Sequence, residues 1–391
     1  MIFYGDLTFF LVTAALSLPA IALSLWQKPV KYYLLIASLV MIGLIYSANR
    51  MSLVWLAAFF VFSMVFIRLY LFVRTKYGRV QWLYRLFLVL LLSPLAVNKI
   101  AAFIHINIFG FLGISYITFK VLQMIIEIYD GVIKEVNLLD TANFLLFFPS
   151  LSSGPIDRSR RFSANLSKIH TRQEYLTLLG KGLQKLALGA LYKFVLSYIV
   201  YELMQASVER YTVFHILRYI YTYGLYLFFD FAGYSLMAVG AAYMFGIVLP
   251  DNFKYPFLSV DIKDFWNRWH ITLSHWFRDF VFSRIHMGFI KKKRFKSRLT
   301  GAAVAYIANM AVMGVWHGLS TSYVVYGLYH GVLLALMEVY QKKSKFYANN
   351  KDKKVYKIVS WFITMNAVFF GFYIFSGQFA TLAKLIIDKA F

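Results

Sequence analysis

The sequence predicts an all-α polytopic membrane protein, and three observations carry that prediction. Of its 391 residues 60% are hydrophobic and only 15% charged, against about 45–50% apolar and about 25% charged in soluble domains. The mean hydropathy is +0.63, more apolar surface than one soluble core of this size can hide. The apolar residues also gather in runs of about 20, the length a helix needs to cross a bilayer. Aromatic residues make up 19% of the chain, mostly 39 Phe and 29 Tyr, a composition suited to lipid-facing surfaces and interfacial belts. A single multi-span domain over 1–391 is expected, with peripheral spans at about 1–130, a motif-bearing core at about 140–340 and C-terminal spans at about 341–391.

The spans expected in order are about 7–26, 30–48, 51–73, 80–97, 100–129, 183–203, 212–247 (one segment or two), 299–316, 320–340 and 356–377. Met1 to Trp26 has neither a basic leading region nor a small-residue cleavage site, so it reads as a retained first span. Lys and Arg number 41 against 17 Asp and Glu, a net charge of +24. The basic residues sit between apolar runs, in Arg74 to Arg85, Arg158 to Lys185, Arg278 to Arg298 and Lys342 to Lys357. That distribution is the positive-inside signature and an attraction for anionic headgroups, not a nucleic-acid footprint. It places the four clusters in the cytoplasm and the N-terminus outside.

Two stretches resist a spanning assignment. Asn143–Phe148 is apolar but runs into Pro149, Gly154 and Pro155 and then into Arg158, Arg160 and Arg161. Proline removes a backbone donor and glycine relaxes the chain, so a broken or re-entrant helix is expected. Asp261 to Arg284 alternates aromatics with charges, too polar for lipid, and is expected at the interface or against a water-filled cavity.

Polar residues in membrane segments are costly and therefore functional candidates. His317, in Met313-Gly-Val-Trp-His-Gly-Leu-Ser320, ends an apolar span between glycines, and a neutral imidazole can take a proton from a hydroxyl. His270 and Ser274 are four residues apart, which on a helix shares a face with Asn267; Trp266 and Trp269 beside them read as interfacial anchors. His275 and His330 read as structural, and His105, His170, His215 and His286 as interfacial. Asp230, among few acids in the spans, suits orienting a histidine or, the favoured role, pairing with a buried arginine. No metal cluster is expected, because no ligand spacing for one exists. With no cysteine in the chain, disulfides, thiolate sites and a Cys nucleophile are excluded.

Phe265-Trp-Asn-Arg-Trp-His-Ile-Thr-Leu-Ser-His-Trp-Phe-Arg-Asp279, Val315-Trp-His-Gly318 and Phe229-Asp-Phe-Ala-Gly-Tyr-Ser235 resemble the membrane-bound O-acyltransferase family. Phe148-Pro-Ser-Leu-Ser-Ser-Gly-Pro-Ile-Asp-Arg-Ser-Arg-Arg-Phe162 is similar to its branch that loads D-alanine onto teichoic acids in Gram-positive bacteria. The alginate-acetylating branch shares the histidine motifs but usually has an acid where this chain has Leu236.

The resemblance implies a ring of helices around a thinned centre with a tunnel, in a multi-pass protein of the bacterial cell membrane. It implies His317 as the catalytic histidine and His270 as its partner, with Asn267, Ser274, Ser152, Ser153 and Asp230 lining the path. The donor would be a D-alanyl thioester on the phosphopantetheine arm of an acidic carrier protein, with no cofactor bound to this chain. The acceptor would be a hydroxyl of extracellular lipoteichoic acid, and small accessory membrane subunits are possible partners. Carrier docking is expected on Ile285 and Met287 for apolar contact and on Lys291, Lys292, Lys293 and Arg294 for charge. Two alternatives stand beside this reading: an acetyltransferase of an exopolysaccharide, and a transporter or flippase with histidines along its path.

Overall fold

The computed structural model describes residues 1–106, 108–208 and 210–390, without the side chains of Lys389 and Ala390. The described residues form helices and connecting loops with no strand. Among the described residues eight helices are long and apolar enough to cross a membrane: Leu7–Leu25, Arg50–Tyr77, Gln81–Phe103, Arg172–Gln205, Val213–Met244, Arg298–His317, Thr321–Lys343 and Lys354–Phe375. The expected span at 30–48 is the shorter apolar helix Lys31–Ile45.

One expectation is corrected. The 100–129 run is not one span, because the helix from Gln81 stops at Phe103 and a second helix, Ile114–Tyr129, begins after a loop. His105 closes the first helix in the left-handed region at φ 59°, where the amides of His105 and Ile106 cap Ala102 and Ala101, a helix-ending motif more often built on glycine. Asn98 Nδ2 then donates to the Phe109 carbonyl at 2.7 Å. The 212–247 run is a single helix, Val213–Met244.

The chain divides into two compact units. The first comprises Met1–Leu191 with Gly233–Asp251. Asp6 caps its first helix by accepting from the Phe9 amide at 2.8 Å. The stretch expected to break does so: a helix over Leu138–Leu146, one 3₁₀ turn over Phe148–Ser150, irregular chain to Arg158, and a helix over Ser159–Ser167. Its backbone is held from outside the segment. The buried Lys120 ammonium donates to the Phe144 carbonyl at 3.0 Å and to Ser150 Oγ at 3.2 Å. Gln123 Nε2 donates to the Asp157 carbonyl at 2.9 Å. Gly113, at φ 95°, passes so close that a Cβ there would stand 2.4 Å from the Leu151 oxygen. Buried backbone polar groups need such partners once a helix stops supplying them.

The second unit comprises Tyr192–Ala232 with Asn252–Phe391. Its centre is the hairpin of Arg298–His317 and Thr321–Lys343, drawn together by small residues. A Cβ on Gly314 would meet the Tyr323 oxygen at 2.4 Å, and one on Gly327 the Met310 oxygen at 2.4 Å. Lys354–Phe375 packs beside it, with Gly371 facing the ring of the buried His330. Small residues at crossings let helices approach where no hydrophobic effect drives them together. The basic residues of these three helices lie at one end (Arg298, Lys342 with Lys343, and Lys354 with Lys357), while His317, Thr321 and Phe375 lie at the other.

Candidate active site

The second unit carries both His270 and His317, near enough that His317 acts on His270 electrostatically. The expected single helix through Asn267, His270 and Ser274 does not form, and the structure shows why. Ile262–Trp266 is a short helix capped by Asp261, whose Oδ1 accepts from the Lys263 and Asp264 amides. The chain turns through Asn267–His270, and a new helix runs over Ile271–Phe277 with His270 as its N-cap at φ 42°, ψ 52°. A non-glycine residue in the left-handed region is uncommon and often marks a site where the surroundings over-determine the backbone. Here Asn252 does so: its carbonyl accepts from the Ile271 amide at 2.8 Å, and its Oδ1 accepts from Thr272 Oγ1 at 2.6 Å.

His270 is buried, with Phe231 edge-on at 4.7 Å, and its Nδ1 has no hydrogen-bond partner. Burial, and then the neighbouring His317, pushes the His270 imidazolium down to about 3; desolvation and a like charge both disfavour the charged ring. The neutral ring therefore contributes stability that is fully present above the ordinary histidine pKa of about 6.5 and is lost as pH falls toward the folded-state value. His270→Gln should flatten the fall in melting temperature between pH 7.5 and pH 5. A fall as steep as in the wild type would mean that other groups set it.

Trp266 and Trp269 are not interfacial anchors. Both are buried: Trp269 stacks on Phe265 at 5.6 Å, and Trp266 meets His330 edge-on at 5.3 Å. Their amphipathic rings suit a lipid interface and a protein interior equally well, so spacing alone did not separate the two.

His317 is the last residue of its helix, half-buried, with Phe375 edge-on at 5.0 Å and Trp316 at 4.5 Å. Gly318 follows in an extended conformation, pressed so close to Tyr323 that a Cβ would stand 2.6 Å from its ring. Asp230 pairs with Lys193, not with an arginine. Ser152 and Ser153 belong to the first unit, where Ser152 Oγ hydrogen-bonds the Tyr234 hydroxyl.

Asn267 and Ser274, separated along the chain by the turn, meet again as walls of a cavity of about 220 Å³ within the second unit. Lys263, Trp266, His275, Arg278, Phe282, Tyr306 and Asn309 line it as well. Two of the lining residues hold a buried polar atom without a hydrogen-bond partner: the donor Trp266 Nε1 and the acceptor Asn309 Oδ1. Unsatisfied buried groups are costly unless a ligand or water completes them. Asn309 was missed in the sequence although it stands eight residues before His317, two turns up the same helix. Among the described residues no group of His, Asp and Glu is arranged to hold a metal ion.

Comparison with known proteins identifies the family. The model of the membrane-bound O-acyltransferase family matches residues 40–379. Teichoic acid D-alanyltransferase of Bacillus subtilis (strain 168) is 40% identical over 388 residues, covering 96% of this chain and 98% of that protein. Teichoic acid D-alanyltransferase of Streptococcus thermophilus is 38% identical over 395 residues, covering 96% of this chain and 94% of that protein. A probable alginate O-acetylase of Pseudomonas syringae is 30% identical over 274 residues, covering 68% of this chain and 49% of that protein. With its apolar helices and its two histidine motifs, the chain is a multi-pass O-acyltransferase that belongs to the membrane-bound O-acyltransferase family.

Proposed function

We propose that the protein transfers D-alanine from the phosphopantetheine thioester of an acidic carrier protein in the cytoplasm to hydroxyls of lipoteichoic acid outside the bacterial plasma membrane. The observation that carries the reading furthest is the near full-length similarity to teichoic acid D-alanyltransferases at 38–40% identity, against 30% over 68% of the chain for an alginate O-acetylase.

A thioester is already activated, so the chemistry needs a positioned hydroxyl and a base. A ring nitrogen of His317 takes the proton of the acceptor hydroxyl as its oxygen attacks the thioester carbonyl. The tetrahedral intermediate collapses, the carbon–sulfur bond breaks, and the departing pantetheine sulfur takes the proton back, leaving an ester and a free thiol. His270 stays neutral beside a His317 that becomes transiently cationic, and orients it. No residue needs to be acylated, which suits a chain without cysteine.

The cavity suits the donor arm. An arm of this kind contains secondary amides, each needing one donor and one acceptor, and the buried pair Trp266 Nε1 and Asn309 Oδ1 offers both. Phe282 lines this cavity, stacked on Tyr306 at 4.4 Å, and the helix Ser283–Lys291 follows it directly. That helix carries Ile285 and an exposed Met287 and leads into exposed Lys291, Lys292, Lys293 and Arg294. A docked carrier would thus release its arm next to the cavity mouth.

The reading is tested by steady-state transfer from D-alanyl carrier. Asn309→Leu should raise KM for the carrier thioester roughly tenfold, the cost of one lost buried polar contact, with a smaller change in kcat. An unchanged KM would remove the cavity from the donor path. A purified protein that discharges an acetyl donor but not D-alanyl carrier would favour the exopolysaccharide acetyltransferase instead.

A further inference from the structure

A second cavity of the same unit, of about 340 Å³, lies where Thr321–Lys343 and Lys354–Phe375 end against the helix Gln378–Ala390. Its walls are nearly all apolar, among them Val325, Ile374, Phe379 and Ala383, and Lys384 stands at its rim. We infer that this groove holds an acyl chain of the acceptor's own lipid anchor, with Lys384 against the anchor's phosphate, so that the first polyol units of the anchored polymer lie at His317. The inference rests on the proposed carrier-dependent transfer and deepens it.

Four observations point to this occupant. Two of the three helices that line the groove, Thr321–Lys343 and Lys354–Phe375, are long and apolar enough to span a bilayer, which puts an apolar chain of the lipid within reach of it. It lies at the end of those helices opposite their basic residues, the end that the positive-inside distribution turns outward. It adjoins the reacting histidine: Thr321 comes four residues after His317, and Phe375, next to the groove-lining Ile374, meets the His317 ring edge-on at 5.0 Å. The last helix carries exposed Ile386 and Ile387 together with exposed Lys384, the mixture of an interfacial helix whose cation meets anionic headgroups. An apolar slot with one cation at its mouth complements a phosphate-bearing lipid.

The test compares two acceptors with the purified full-length protein and D-alanyl carrier: polyglycerol phosphate on its diacyl lipid anchor, and the same polymer with the acyl chains removed. Ala383→Trp, which fills the groove, should raise KM roughly tenfold for the anchored polymer, as loss of about two buried methylenes implies. The KM for the chain-free polymer should stay unchanged, which also shows that the variant is folded. Lys384→Glu, at the exposed rim, should raise KM for the anchored polymer about fivefold, the weight of one cation near an anionic headgroup. Equal effects of the two variants on both acceptors, as for a groove covered by a second protein helix, would overturn the inference. So would no effect on either acceptor, as for ordinary bilayer lipid. A wild-type protein that transfers D-alanine to neither polymer would overturn the underlying reading, and this inference with it.

Discussion

His317→Ala is expected to lower D-alanyl transfer by about 10²–10⁴-fold, the usual loss when a positioned general base is removed, while the protein stays folded in detergent. The expectation follows from placement. The ring ends an apolar helix, half-buried among Trp316, Tyr323 and Phe375, so truncation leaves the hairpin contacts at Gly314 and Gly327 in place. His270→Ala should also be severely impaired. If the two rings act as a unit, the double variant should be little worse than the worse single one, since groups that share one step are not additive. Turnover near that of the wild type by well-folded His317→Ala protein would remove His317 from the chemistry.

The second large effect is expected at the docking helix. Ile285→Asp or Met287→Asp should weaken carrier binding by about 10-fold to 100-fold at any salt concentration, as losing an apolar anchor does. Neutralising Lys291, Lys292, Lys293 and Arg294 together should instead slow association, and the defect should shrink as ionic strength rises, because rim charges steer encounter more than they hold the complex. Both can be read by titrating the acidic carrier against purified variants at low and high salt. Unchanged affinity in both sets would leave the basic run as a topology signal attracted to anionic lipid and move the docking site elsewhere.

What the sequence made legible, and what it hid, follows from the physics of each residue. The spanning helices were readable because a bilayer demands about 20 apolar residues in a row, and composition alone shows such rows. The break inside 100–129 was not, because a left-handed His105 stops the helix there without a proline. The histidine motifs stood out because polar side chains are rare in apolar runs. The same rule extends to Asn309 and Lys120, a buried amide and a buried ammonium in apolar helices, which carry no motif to draw the eye. The turn at Asn267–His270 was hidden because it depends on Asn252, which binds Thr272 from across 20 residues of chain. A four-residue spacing is compatible with one helix until such a distant partner is known.

The central claim is that this chain moves D-alanine from a carrier thioester to a polyol hydroxyl using His317. The most direct measurement mixes the purified protein in detergent, with no membrane potential, with D-alanyl carrier and polyglycerol phosphate, and follows thioester loss and ester formation together. The account predicts that one ester appears for each thioester lost in the wild type and that neither change occurs with His317→Ala. Thioester stable in the presence of the wild-type protein, or lost equally fast with His317→Ala, would contradict it.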